Sequence, residues 1–231
     1  NEGAGIRRVL DSFRAVLEFR VRVLICYDRQ DDDTLPALEG YEAPFDVVFV
    51  RNRGTGAIGA VLTGFAETSA PAVIAFPADD DFNAPRLNAL IRTFLDGYDI
   101  VAASRFMPGG SLERCPVVKA VLLRLTAFVM WRIARVPTRD ATSGLRLFSR
   151  RVIDRIPVES RAGFAYSIEL LVKCHRLGWK IGEVPSVWIE RQRGGSRFRV
   201  FRWAPAYLRW YWYPFETTYF RKGQESVYVL D

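Results

Sequence analysis

The sequence predicts an α/β protein in which a mostly parallel sheet carries helices on both faces. First, short apolar runs such as residues 21–27 and 45–50 are typical of parallel strands, which are buried on both faces. Second, helical patterns separate these runs, and alternating strands and helices form parallel sheets with right-handed crossovers. Third, polar loops follow three of the strands, as they do at the ligand-binding edge of such sheets.

The elements follow one another in a regular order. Residues 6–17 form the first helix, because apolar side chains recur there at helical spacing. We predict strands at residues 21–27, 45–50, 72–76 and 99–103, and further helices at residues 57–69, 85–97, 116–136 and 165–177. No internal repeat or low-complexity linker interrupts the pattern, so we predict a single domain over residues 1–231.

Three polar loops would open at one edge of this sheet. The first, residues 28–33, is acidic; the second, 51–56, contains arginine and glycine; the third, 77–83, carries successive carboxylates. An acidic group for a base or ribose, cations for phosphates and carboxylates for a metal together suit a nucleoside diphosphate. Taken singly, each loop is equally compatible with an ordinary solvated turn.

The third loop contains a candidate metal site. Asp79 and Asp81 stand at positions i and i+2, which point to the same side of an extended chain. Two such carboxylates suit Mg²⁺ or Mn²⁺, and Asn83 could add a neutral oxygen. Acidic turns also cap helices, so the motif by itself leaves both interpretations open.

The net charge and the single histidine limit the kinds of ligand and chemistry that the sequence supports. The chain has 33 Lys and Arg against 26 Asp and Glu, a net charge of +7 that suits an anionic partner such as a phosphate ligand or an anionic membrane. Its single histidine, His175, lies in a helical pattern, which argues against chemistry that needs a histidine base or a histidine-rich metal site.

The second half indicates a membrane surface. The predicted helix at 116–136 is apolar on most faces, as in a buried core helix or in one lying on a membrane. Residues 198–220 mix aromatic side chains with arginine, which favours a membrane interface over a terminal helix packed on the sheet. Nucleic-acid stacking has no further support in the chain. No apolar run is long enough to predict a membrane span.

Eight segments together resemble a known family. They are residues 1–2, 27–30, 51–56, 78–83, 104–111, 139–146, 163–169 and 190–197. In order and spacing, they resemble family 2 glycosyltransferases of the GT-A fold, specifically the dolichol-phosphate mannosyltransferase-like branch. The resemblance covers almost the whole chain. It implies a nucleotide-sugar-binding half at 1–104, an acceptor-binding half at 105–197 and a membrane-interface segment at 198–231.

The resemblance implies a set of donor-binding residues. Asp28 would contact the nucleoside, and Arg53 would meet the nucleotide. A metal ion held in the turn would bridge the donor diphosphate. The donor-binding residues so implied are Glu2, Asp28, Arg53, Asp79 and Asp81, and the metal ligands are Asp79, Asp81 and Asn83.

The acceptor-side residues are implied in the same way. Arg105 matches an arginine near the acceptor phosphate, and Lys119 falls at a second basic position. Arg191 matches an arginine of a flexible loop that closes over the donor, and Arg146 belongs to a motif with both structural and catalytic roles. These four form the expected catalytic set.

The implied activity is inverting, metal-dependent transfer of a hexose from a GDP- or UDP-sugar to a polyprenyl phosphate. The enzyme would act as a peripheral protein on the cytoplasmic side of the membrane. Because a phosphate acceptor is already an anion, it needs no general base. Transfer to a cell-surface glycan hydroxyl would need one, with Glu169 or Asp140 as candidates. A non-catalytic membrane-surface protein with a degenerate donor site is the other alternative.

Two departures from the family pattern affect these expectations. The family begins with a strand that ends in Pro-x-Tyr-Asn-Glu, whereas this chain starts at Asn1-Glu2, so we expect that first strand to be missing. The usual Asp-Asp-Gly-Ser turn is replaced by residues 27–30, Tyr-Asp-Arg-Gln. The nucleobase and the sugar therefore stay open.

Overall fold

A computed structural model describes residue 3 and residues 5–161, 163–190 and 200–230, with side chains except those of residues 200–206. Its helices are α1 (Gly5–Val16), α2 (Thr34–Ala37), α3 (Gly56–Ala66), α4 (Leu87–Leu95), α5 (Val117–Phe128), α6 (Arg150–Arg155), α7 (Ala165–Arg176) and α8 (Val200–Tyr219). Its strands are β1 (Arg22–Tyr27), β2 (Asp46–Arg51), β3 (Ala72–Ala75), β4 (Ile100–Ser104), β5 (Ser111–Glu113), β6 (Arg146–Ser149), β7 (Ile181–Pro185) and β8 (Val187–Ile189). A π-helical turn (Val129–Ile133) continues α5.

The predicted α/β class is confirmed, with a mixed central sheet. Four strands lie in the order β3-β6-β4-β7, and β6 runs antiparallel to both neighbours while β4 and β7 are parallel. Strands β1 and β2 form a separate parallel pair, and β5 pairs with β8. The antiparallel direction of β6 was not predicted, because a four-residue strand carries no signal of its direction.

The core lies mainly around α7. This helix is buried on nearly all sides, with Leu170, Leu171 and Val172 fully inaccessible, because α8 covers one side of it and the sheet lies on another. Helix α1 forms a second cluster. There, the ring of Phe13 lies 4.8 Å from that of Phe76 in an edge-to-face contact and 6.5 Å from that of Phe45. These contacts place α1 against the amino end of β2, which Phe45 precedes, and against the carboxyl end of β3, which Phe76 follows.

Helices α5 and α8 expose apolar side chains. In α5 only Ala120 and Ala127 are buried, whereas Met130, Ala134 and Val136, which follow it, belong to the core. The core interpretation of residues 116–136 therefore holds for the end of the segment and fails for α5. Helix α8 is divided: Trp210 is only 2% exposed, whereas Trp212 is 56% exposed. Among the described residues, no helix is long and apolar enough to cross a membrane.

Candidate functional site

The first two polar loops are joined by a residue that the sequence did not single out, Asn52. Tyr27 and Arg51 are register partners at the ends of β1 and β2. Directly after them, the Asn52 amide donates to Asp28 Oδ1 at 2.6 Å. A Cβ atom on Gly59 would lie 2.7 Å from Asn52 Oδ1, so glycine is required for this close approach. Asp28 is therefore held in place before any ligand binds.

Arg53 points elsewhere. Its guanidinium forms an ion pair with Glu67 at the end of α3, and the arginine side chain is 67% exposed. Exposed pairs of this kind contribute about 0–1 kcal/mol, so a phosphate could displace Glu67 at little cost. The structure does not bring the Arg53 guanidinium to Asp28, and the expected nucleotide contact stays a prediction.

The third polar loop, residues 77–83, which we call the carboxylate turn, does not have the extended backbone that was expected from the sequence. The chain does not leave β3 extended, because the Asp80 amide donates to the Pro77 carbonyl at 3.1 Å and closes a turn. Asp80, the middle carboxylate, accepts from the backbone and side-chain nitrogens of Asn83 at 3.0 and 2.6 Å. Burial raises the pKa of Asp80, and the nearby charge of Asp79 adds to the rise.

Asn83 serves as an anchor for the turn. Its Oδ1 accepts from the Val187 amide at 2.9 Å and its Nδ2 donates to the Val187 carbonyl at 2.7 Å, which ties the turn to β8. The side chain is 4% exposed. The expectation that Asn83 offers its oxygen to a metal beside Asp79 and Asp81 is therefore corrected, because that oxygen is directed at the strand.

The chemistry of the turn still suits a hard cation. Asp79 is exposed and Asp81 half-buried, and both carry oxygen donors. No group of three or more His, Cys, Asp or Glu side chains among the described residues could hold a metal ion by itself. Mg²⁺ and similar ions commonly take one or two carboxylates and complete their shell with substrate phosphates. The turn fits that arrangement.

The acceptor side is organised by a buried ion pair. Arg105 Nε and Nη2 lie 2.6 and 2.8 Å from the two carboxylate oxygens of Asp140, and the Arg105 amide donates to the same carboxylate at 3.0 Å. Asp140 is fully buried. Burial alone would raise the pKa of Asp140, but the charge and hydrogen bonds of Arg105 outweigh it and hold the pKa below its ordinary value.

Arg146 supports this pair from behind. It is fully buried, and its guanidinium donates to the Ser167 hydroxyl at 2.8 Å and to the Ala141 carbonyl at 3.2 Å. Burial lowers the pKa of Arg146 to about 10. Because a bound substrate cannot reach it in this arrangement, Arg146 is a positioning residue, and its expected place in the catalytic set is corrected.

The acceptor side contains two expected cations, of which Arg105 is buried and Lys119 is partly exposed. The Arg105 guanidinium lies between the rings of Phe106 and Trp188, 5.2 and 5.8 Å from their centroids, and its Nη1 stays outside the Asp140 pair. Lys119 Nζ lies 2.7 Å from both carboxylate oxygens of Glu190, and the lysine side chain is 42% exposed. Trp188 and Glu190 connect the two cations, because Trp188 contacts Arg105 and donates to Glu190, which binds Lys119. Their expected role at the acceptor phosphate stays a prediction.

Neither candidate base is exposed to a substrate. Glu169 is fully buried, and it accepts from the amides of Glu159 and Ser160 at 2.7 and 2.8 Å and from Lys173 Nζ at 2.6 Å. Asp140 is engaged by Arg105 as described. Glu2 and Arg191, the remaining expected site residues, lie outside the described residues.

Comparisons with known proteins show the family to which the chain is similar. The family model described as glycosyl transferase family 2 matches residues 1–156. Polyprenol monophosphomannose synthase of Mycolicibacterium smegmatis is 28% identical, over 77% of this chain and 70% of that protein. Undecaprenyl-phosphate mannosyltransferase of Micrococcus luteus is 28% identical, over 76% and 74%. Dolichol-phosphate mannosyltransferase of Pyrococcus furiosus is 26% identical over 77% of the chain, which spans only 50% of that relative.

Solved structures support the fold. Glucosyl-3-phosphoglycerate synthase from Mycobacterium tuberculosis in complex with UDP superposes with a TM-score of 0.65 at 20% identity, covering 93% of this chain and 76% of that one. The same enzyme with Mn²⁺, UDP-glucose and glycerol 3-phosphate gives a TM-score of 0.63 at 20% identity, covering 93% and 76%.

Proposed function

Because the chain belongs to glycosyl transferase family 2 and is a glycosyltransferase, we propose that it transfers a hexose from a GDP- or UDP-sugar to a polyprenyl phosphate at a membrane surface. The acceptor class follows the curated relatives, whose names refer to polyprenol, undecaprenyl phosphate and dolichol phosphate. We infer a nucleotide-sugar donor from the structural neighbour, which was solved with UDP, and a hexose from the relatives, whose names refer to mannose.

One observation carries the choice of acceptor. The acceptor side presents the cations Arg105 and Lys119, while both carboxylates considered as bases, Asp140 and Glu169, are buried and occupied. A hydroxyl acceptor gains about 10²- to 10⁴-fold from a positioned base, whereas a phosphate oxygen is already charged. Cations beside these two occupied carboxylates suit a phosphate nucleophile and disfavour a glycan hydroxyl that would depend on Asp140 or Glu169 as its base.

The donor side would hold the nucleotide sugar along the carboxyl ends of the strands. Asp28, fixed by Asn52, faces the nucleoside, and Arg53 exchanges Glu67 for a donor phosphate. Asp79 and Asp81 would hold Mg²⁺ or Mn²⁺, which supplies positive charge to the diphosphate leaving group when bound. The structural neighbours contain these ions in complexes with UDP.

The reaction then depends mainly on alignment and charge. Arg105, held rigid by Asp140, places the acceptor phosphate so that one of its oxygens attacks the anomeric carbon opposite the departing diphosphate. Attack from the opposite side inverts the configuration at that carbon. No proton transfer from the acceptor is needed.

Membrane attachment would come from α5 and the outer face of α8. The exposed apolar side chains of α5 are Val117, Val118, Val121, Leu122, Leu125 and Phe128, and those of α8 include Leu208, Trp212 and Tyr219. Lys119 and Arg124 on α5 add positive charge for anionic headgroups. Since Lys119 also belongs to the acceptor side, the same helix would deliver the lipid phosphate to the site. We place the protein peripherally on the cytoplasmic side.

A product analysis tests this function. The purified chain is incubated with polyprenyl phosphate in vesicles and, in turn, GDP- and UDP-hexoses with Mn²⁺, and the extracted lipid is weighed by mass spectrometry. We expect one donor to add a single hexose to the lipid phosphate. Glycosylation of a glycan hydroxyl without any lipid product would overturn the proposal, and donor binding without transfer to either acceptor would favour the non-catalytic alternative.

A further inference from the structure

The carboxylate of Glu190 forms an ion pair with Lys119, the lysine that the proposed function assigns to the acceptor phosphate. Both of its oxygens lie 2.7 Å from Lys119 Nζ, and Oε2 also accepts from the indole nitrogen of Trp188 at 3.1 Å. The Trp188 ring, in turn, lies against the Arg105 guanidinium. Glu190 thus contacts one acceptor-side cation and lies one side chain away from the other.

The backbone fixes this carboxylate at the site. The Glu190 amide donates to the Glu113 carbonyl at 3.1 Å, which extends the pairing of β5 with β8 by one residue. The hydrogen bond from Lys119 lowers the pKa of Glu190, which keeps it charged at neutral pH. The side chains of Lys119 and Glu190 are 42% and 22% exposed, so an incoming anion can reach the pair.

We propose that Glu190 is a specificity-determining residue, whose carboxylate neutralises Lys119 until a phosphate-bearing acceptor exchanges with it. The inference rests on the proposed function. A phosphate carries a charge near −2 and three acceptor oxygens, so it can replace a single carboxylate on Lys119. A neutral hydroxyl offers no charge in exchange, and Glu190 would stay in place. Discrimination against such acceptors would then come from a competing group that they cannot displace.

Glu190→Gln removes the charge while keeping the size of the side chain and an oxygen for Trp188. We expect the apparent KM for polyprenyl phosphate to fall about two- to fivefold, the range that corresponds to losing one partly exposed ion pair as a competitor. The matched control is Glu113→Gln, because Glu113 lies on the paired strand and its carboxylate contacts Ser111 at 3.0 Å. We expect no change of KM in this control.

Binding of inorganic phosphate, measured by calorimetry, gives a readout that does not depend on transfer. Glu190→Gln should bind phosphate two- to fivefold more tightly than the wild type, and this gain should vanish when Lys119→Gln is also present. Unchanged or weaker phosphate binding in Glu190→Gln would overturn the inference and leave Glu190 as a residue that orients Lys119. A wild type that binds phosphate as expected but transfers nothing to polyprenyl phosphate would overturn the proposed function alone.

Discussion

The donor and acceptor sides of the candidate site use the same kinds of residue in opposite environments. On the donor side, Arg29 binds Asp31 through two hydrogen bonds of 2.7 Å, with side chains 76% and 67% exposed. On the acceptor side, Arg105 binds Asp140 in a similar two-bond arrangement, with side chains 8% and 0% exposed. The difference teaches that burial makes the Arg105–Asp140 pair part of the fold, whereas the Arg29–Asp31 pair is solvated and contributes little to it.

Removing one carboxylate from each pair should give the largest difference. We expect Asp140→Asn to lower the free energy of unfolding by about 3–5 kcal/mol, because Arg105 is left buried without a counter-charge. Asp31→Asn should leave the free energy of unfolding nearly unchanged, since its partner stays solvated. Urea denaturation of both variants measures the comparison, and equal losses would contradict it.

The contribution of the Arg105–Asp140 pair to the free energy of unfolding should decrease in acid. Because its folded-state pKa is lowered, Asp140 contributes stability above the ordinary aspartate value of 3.8, and this contribution is lost as the pH falls through the lowered pKa. The difference in unfolding free energy between wild type and Asp140→Asn should therefore be full at pH 7 and shrink below about pH 4. A difference that stays constant from pH 7 to pH 3 would show that the pair does not titrate as described.

On the donor side, a carboxylate should affect binding more than folding. We expect Asp81→Asn to weaken nucleoside diphosphate binding in Mn²⁺ at least about tenfold, the scale of losses seen when groups supporting a metal are removed. Its unfolding free energy should change by less than about 0.5 kcal/mol. Calorimetry with and without Mn²⁺ checks the first expectation, with exposed Asp96→Asn as the charge-matched control. Unchanged Mn²⁺ dependence in Asp81→Asn would refute the metal assignment.

The smallest expected effect concerns the membrane surface. Replacing Val118 and Leu122 of α5, which are 74% and 58% exposed, with Ser should weaken binding to anionic vesicles about fivefold. Replacing Val48 and Phe49 of β2, 38% and 43% exposed, with Ser provides the control, because it removes exposed apolar surface from the donor side instead. If both pairs of substitutions weakened vesicle binding equally, α5 would not be the membrane-binding surface.

The sequence predicted what depends on local pattern. The order of strands and helices in the first half and the polar loops after the strands follow from periodicity and turn residues, and the α/β class was correct. The family resemblance assigned Arg105 and Lys119 to the acceptor side. It did not predict their partners, since Arg105 meets Asp140 across 35 residues and Lys119 meets Glu190 across 71.

The errors have a shared physical origin. Asn83 was expected to bind a metal, but its hydrogen-bonding groups are taken by Val187, 104 residues away. Trp210 and Trp212 look alike in an aromatic segment, yet the first packs into the core and the second faces outward. Long-range contacts decide both outcomes, and no local spacing encodes them.

The central claim is that the acceptor is a charged nucleophile that reacts without a general base. Rates of transfer to polyprenyl phosphate and to the polyprenol of identical chain length, measured with the same donor, test it most directly. We predict that the phosphate is preferred at least about hundredfold, the minimum that a missing general base costs a hydroxyl. Comparable rates for the two acceptors would contradict the account, because the polyprenol could match the phosphate only with the help of a general base.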